Sequence, residues 1–587
     1  MSVREGRVGL ALFVCAAMTF WMTYPAWFAE EPSFIGHWDA LDLPGSVWAH
    51  WWVHHALVDG ASPFTDTVSF WPVGLDPVLQ YNLLDALVGV PWIALFGVVD
   101  GYNLATAAAL TATGMGGYAL GRSAQLSGPV AIFVGVAIQS SSAVALELYE
   151  GRLSQFLLIF FLLGLAALNR LLYTAPSRRL AVGLGFCAAA TALVYWYAGL
   201  YFLLAAAAIV LAGRVEWSSS RLRLLGLGAA VGAGLVLPFV WDLVGQWSEL
   251  PGMSRNTQGG TSLTNLVSNK SGVAIATENS RWWLWPLISR ANQEAGHQLS
   301  LMVLILTAFS VRSRCPRIGG WLLVAAVGWL LALGPVWHGY SSTSTVSAPF
   351  GWLQSASPIF ARMWWPQRFE VLTAIGLAVA AGVGLEWWLR ERKRPHLWCG
   401  LAALLAVADA PLRSGVLPVR ASVAPEASAP LYRDLDGALL TTPIRPDVRT
   451  LNHQRWLQTQ HGQPILNGNG EHIPGHAPEA WLLWRDDAKV IDALLTLQTE
   501  RRLSVTIHPE DVAYLWDAGF RYAVTDPSVY GSPTGRNWAA THGSVFTQIW
   551  GSPIQRHRGG AVWAITPITE PVTVTARYLQ RGDRLKR

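Results

Sequence analysis

A helix needs about 20 consecutive apolar residues to cross the hydrocarbon core of a bilayer, and this chain repeats that pattern. Apolar runs lie at roughly 7–28, 83–99, 102–121, 128–147, 153–172, 179–196, 197–213, 222–241, 299–312, 318–337, 368–389 and 396–411. Inside lipid there is no water for free backbone groups to bond, so runs of this length must be helices. With 52% hydrophobic and 13% charged residues over 587 positions, the chain is too apolar for an ordinary soluble protein and reads as polytopic. The net charge of +5 does not imply nucleic acid, because the basic residues gather in short loops between apolar runs, where they set topology. Cys15, Cys187, Cys315 and Cys399 lie in apolar runs or a short basic loop, a placement that implies neither a disulfide framework nor a CxxC metal site. The first run follows a basic start, and PAWFAEE offers no small-x-small cleavage site; an uncleaved anchor is expected.

Charge fixes the expected count of spans. From Ala29 to Gly121 there is no Lys or Arg. If 83–99 lies on the outer face, Arg122, Arg170, Arg214, Arg312 and Arg390 with their basic neighbours all face the cytoplasm, as the positive-inside bias requires. About eleven spanning helices follow, with the N-terminus inside, a first outer loop over 29–101 and everything after Pro411 outside. The expected architecture is an all-α membrane domain over 1–411 and a C-terminal α/β extracytoplasmic domain over 412–587. In that second region GALLTTPI, QPILNG, FRYAVTDP and GAVWAITPI have strand character, and PEDVAYLWDAGF opens like a helix.

Candidate chemistry sits at the outer helix ends. Asp39 and Asp42 follow the anchor, beside Trp38 and Trp48; a partly shielded carboxylate there suits a general base, while Asp before Pro44 also suits a helix cap. No positive charge lies near them in sequence. His50 and His54 are four apart, which is metal-ligand spacing for a divalent ion, but no third ligand is evident and an interfacial Trp-rich helix is the simpler explanation of them. Glu147 and Glu150 end one span, and Arg152 follows at once. Arg152, Arg362 and Arg368 are outward basic residues placed against the positive-inside bias, so each is a candidate phosphate ligand.

Several motifs together resemble the polytopic GT-C glycosyltransferases, in particular a large bacterial branch of them. These are the anchor, the early Asp, the Trp-rich helix, the turn WPVGLDP, an apolar segment ending in LFG, YNL opening a span and a Gly-Arg at its end. PQRFEVLTAIGLAVAAGVGLE and, near the C-terminus, HGQPILNGNGE with DAGFRYAVTD add to the likeness. The resemblance implies inverting transfer from a polyprenyl-phosphate-linked sugar to an envelope glycan or lipid at the outer face of the inner membrane. It selects Asp42, six residues before the first Trp of the amphipathic helix, as base, with Asp39 as the fallback. Glu150 or Glu147 would assist, and Arg368 and Arg362 would hold the donor phosphate. A non-catalytic envelope scaffold is the rival reading, and a transporter a more distant one.

Overall fold

The computed structural model describes residues 3–38, 42–75, 83–174, 176–213, 215–246, 299–338, 343–361, 363, 365–414, 416–424, 429–444, 448–468, 477–530 and 535–578. The candidates Asp39 and Arg362 lie outside the described residues. Five helices are long and apolar enough to cross a membrane, or six if α4 (Gly128–Gln139) and α5 (Ser142–Tyr149), which meet at 44°, form one span. Shorter apolar helices occupy Trp196–Ala212, Leu301–Arg312, Ile318–Ala332 and Pro395–Asp409. The protein is an integral membrane protein.

The first helix, α1, spans Val3–Trp27, and α2 spans Leu43–Val58. Next, α3 runs from Leu83 to Ser123, and a straight helix of that length would reach about 60 Å, twice a bilayer core. It is not straight: Gly97 has φ 77°, a left-handed value that glycine adopts without penalty. A Cβ on Gly101 would lie 2.6 Å from the Cα of Ile93, so the chain folds back sharply there. Apolar runs that the sequence divides at about residue 100 are therefore two arms joined at one glycine. Helix contacts elsewhere are very close. A Cβ on Gly117 would sit 2.8 Å from the Cα of Gly135, the small-residue packing by which helices associate where lipid is as apolar as leucine.

Beyond the last apolar helix the chain forms a four-stranded sheet in the order β5-β7-β9-β8, where β5 is Ala438–Thr441, β7 Phe520–Thr525, β8 Gln555–His557 and β9 Gly560–Ala564. Strands β5 and β7 are parallel, and the other pairs are antiparallel; β2 (Val336–His338) with β3 (Thr343–Ser347) and β6 (Arg502–Ile507) with β10 (Val572–Arg577) form separate antiparallel pairs. The expected strands in GALLTTPI, FRYAVTDP and GAVWAITPI form, whereas QPILNG contributes only an isolated bridge from Ile465 to Leu439. PEDVAYLWDAGF gives the helix Pro509–Asp517, with Pro in its first turn and Asp511 bonding back to the His508 N–H.

This region does not stand apart from the first loop. Strand β1 (Ser33–Ile35) pairs with β4 (Ala421–Val423), and Phe70 and Leu75 are buried in one core with Leu440, Trp481 and Phe520. The Trp48 Nε1–H donates to Gln458 Oε1 at 2.7 Å, and Trp71 Nε1–H donates to the Ala518 carbonyl at 2.6 Å. The first loop is thus clamped between the bundle and the C-terminal region.

Candidate active site

The site forms where that clamp meets the turn after α5. Gly151 has φ 71°, and a Cβ there would lie 2.4 Å from Leu43 Cδ1; only glycine permits both the turn and this approach. The turn is gripped from three sides. The His37 N–H donates to the Tyr149 carbonyl at 2.8 Å, the His37 ring stacks on Tyr149, and Tyr102 OH donates to the Gly151 carbonyl at 2.6 Å. Leu43 and Asp42 are neighbours in sequence, so this contact brings Asp42 against Arg152.

Asp42 occupies the N-cap position of α2 but makes no side-chain cap bond. Its carboxylate instead accepts from Arg152 Nε. Arg152 also donates to Glu147 Oε2 at 3.0 Å and lies 3.7 Å from Glu150 Oε2. On the far side of Glu147 stands Arg368, with Nε 3.7 Å from Glu147 Oε1 and Nη1 donating to Tyr195 OH at 2.8 Å. Five of the candidates, Asp42, Glu147, Glu150, Arg152 and Arg368, therefore form one chain of alternating charge. Asp42 is its open end: 42% of its side chain is exposed, against 9% for Glu147 and 14% for Glu150.

The electrostatics assign different characters to these groups. Burial opposes the charge on Arg152, but the Glu147, Asp42 and Glu150 carboxylates overcome it, so the guanidinium holds its proton more firmly than usual. Burial pushes the Glu150 carboxyl above its ordinary value despite Arg152, with Asp42 and Glu147 adding to the rise. A carboxylate with a raised pKa is the better proton acceptor near neutral pH. The absence of positive charge around Asp42 in sequence does not survive folding, because Arg152 arrives from 110 residues away. Arg152, facing three carboxylates, is in turn poorly placed to receive a phosphate, whereas Arg368 faces one carboxylate and a phenol.

Helix α2 does put His50 and His54 one turn apart, but His50 is buried against Tyr102, its Nδ1 bonds the Ser46 carbonyl at 2.8 Å, and burial pushes its pKa down to about 4. Among the described residues, no group of three or more His, Cys, Asp or Glu side chains is arranged to hold a metal. Tyr195 was not legible as a site residue, since a tyrosine between two apolar helices reads as an interfacial anchor.

Comparison with solved structures gives the chain a known fold. The chain superposes on the arabinofuranosyltransferase AftD from Mycobacteria with a TM-score of 0.56 at 15% identity, over 97% of this chain and 40% of that one. It superposes on apo ArnT from Cupriavidus metallidurans with a TM-score of 0.50 at 13% identity, over 96% of this chain and 99% of that one. The fold is that of the GT-C glycosyltransferases. No family model and no curated protein sequence matches the chain. The chain spans about 40% of the length of AftD and nearly the whole length of ArnT.

Proposed function

We propose that the protein is an inverting GT-C glycosyltransferase that moves a sugar from a polyprenyl-phosphate donor to a glycan or lipid of the cell envelope. The observation that carries this reading is the convergence of Asp42, Glu147 and Glu150 with Arg152 and Arg368 at the ends of apolar helices. A polyprenyl donor keeps its lipid in the bilayer and presents phosphate and sugar at that boundary. Arg368, whose fork suits a phosphate oxygen pair, holds the leaving phosphate. The acceptor hydroxyl oxygen bonds to the anomeric carbon from the opposite face as the bond from that carbon to the phosphate oxygen breaks. The hydroxyl proton passes to Asp42, with Glu150 as the adjoining acceptor, and polyprenyl phosphate departs with the bonding pair. Arg152 positions the three acids.

In this reading the N-terminus is cytoplasmic, eleven helices cross, and residues 412–587 form an outer α/β domain on the donor side. A cysteine at Gln125, which is exposed beside Arg122, should then escape an impermeant thiol reagent in intact cells; rapid labelling would reverse the sidedness. For the chemistry, Asp42→Asn keeps size and hydrogen bonding and removes the proton acceptor, so turnover should fall by about 10²- to 10⁴-fold with membrane insertion intact. Analysis of envelope glycans in a deletion strain carrying the variant reads this directly. Full restoration by Asp42→Asn with failure of Asp39→Asn moves the base to Asp39, and restoration by both leaves the scaffold reading.

A further inference from the structure

Next to Arg368 a cleft opens between α5, the short helix Leu153–Phe156 and the start of the helix Trp196–Ala212. Three side chains on its wall bury a polar atom that has no hydrogen-bond partner among the described residues: Gln155 Oε1, Tyr201 OH and Gln367 Oε1. Tyr201 is 2% exposed. Buried polar groups are nearly always paired in folded proteins, and three orphans converging on one space mark a place for something that bonds them.

We infer that this cleft is the sugar pocket of the donor site and that Gln155, Tyr201 and Gln367 select an uncharged glycosyl group. The inference rests on the donor reading above and adds the class of sugar. A hydroxyl both donates and accepts, so it satisfies an amide in either orientation and a phenol equally well. Between these polar groups, Leu158, Phe161 and Ala198 offer apolar surface to the C–H faces of a ring. A polyprenyl tail fits worse, because it would leave all three polar atoms unpaired. An amino or acidic sugar also fits worse: with Arg368 on the donor phosphate and Glu147 accepting from Arg152 at 3.0 Å, the three groups left to meet the sugar are neutral. Arg368 at the edge of the same cleft puts the phosphate beside the pocket and the anomeric carbon toward the acids.

The test uses the full-length protein in lipid nanodiscs and measures binding of undecaprenyl phosphate, bare or carrying glucose, mannose, arabinose or glucosamine. At least one neutral phosphosugar should bind more tightly than the bare lipid phosphate, and the glucosamine form should show no such gain. Tyr201→Phe, Gln155→Leu and Gln367→Leu should each weaken that phosphosugar by roughly three- to tenfold, the range of one net hydrogen bond, and leave the bare lipid phosphate unchanged. Tyr201→Phe removes a single oxygen, so a melting temperature near that of the wild type identifies the loss as one of recognition. If no neutral sugar improves on the bare phosphate, the cleft holds only water and the inference is overturned; equal weakening of both ligands by the variants overturns it too. Arg368→Ala separates the two levels: it should weaken bare and glycosylated lipid alike. If it changes neither, or if the wild type binds no polyprenyl phosphate, the donor reading itself falls and the pocket assignment falls with it.

Discussion

Where α3 meets α4, the backbones of Gly117 and Gly135 nearly touch, and where the helix Glu370–Leu389 passes Leu301–Arg312, Gly384 lies against the Leu306 carbonyl. Where the first loop meets the C-terminal region, the contacts are of another kind. Gln458 accepts from Trp48 Nε1 and donates to the Val68 carbonyl at 2.8 Å, the Arg455 guanidinium stacks 3.8 Å over the Trp48 ring, and β1 pairs with β4. The bundle gains stability from close van der Waals approach among apolar helices, whereas the joint relies on hydrogen bonds between residues about 400 positions apart. The candidate site spans the seam: Glu147 and Arg368 belong to the bundle, and Asp42 is held by the loop that the joint clamps. The bundle can therefore supply the charged floor of the site by itself, while the position of Asp42 depends on the joint.

The sharpest way to break this contrast is to overfill the bundle. A Cβ on Gly384 would lie 1.9 Å from the Leu306 carbonyl oxygen and 2.9 Å from the Ser310 nitrogen. Both are backbone atoms, so Gly384→Ala should cost about 3 kcal/mol, read as a large drop in the melting temperature of the purified protein. A melting point within a degree or two of wild type would show that these helices are not packed as described. A smaller loss is expected in the joint. Gln458→Leu leaves the buried Trp48 Nε1–H and Val68 carbonyl without this partner, at about 2 kcal/mol. Because Asp42 depends on the joint, this variant should also lower activity at temperatures where the protein remains folded; unchanged activity would detach Asp42 from the clamp.

A third effect, small per pH unit, is confined to the C-terminal region. His542 is fully buried against Trp538, and burial lowers its pKa from 6.5 to about 3. Its folded pKa lies below the unfolded one, so the stability it contributes is present above pH 6.5 and is lost as pH falls from there toward 3. The loss is at most about 1.4 kcal/mol per pH unit. Melting curves between pH 7.5 and 5 should decline less steeply for His542→Gln than for wild type, and parallel slopes would place the acid sensitivity elsewhere.

The helices were legible because an apolar run of bilayer length is a local property on which solvent acts directly. The same holds for the strand character of Phe520–Thr525 and the Pro-led opening of the helix at Pro509, and the candidate acids and arginines could be found by residue type and by their place at helix ends. What the sequence could not contain was the company those residues keep. Asp42 reads as a carboxylate without a nearby cation or as a helix cap; the fold makes it the partner of Arg152, because the left-handed turn at Gly151 admits Leu43 beside it. Arg368 finds Tyr195 across 173 residues, and three polar groups converge on one cleft from Gln155, Tyr201 and Gln367. Such pairings depend on distances that no local pattern encodes, and only the closed chain sets them.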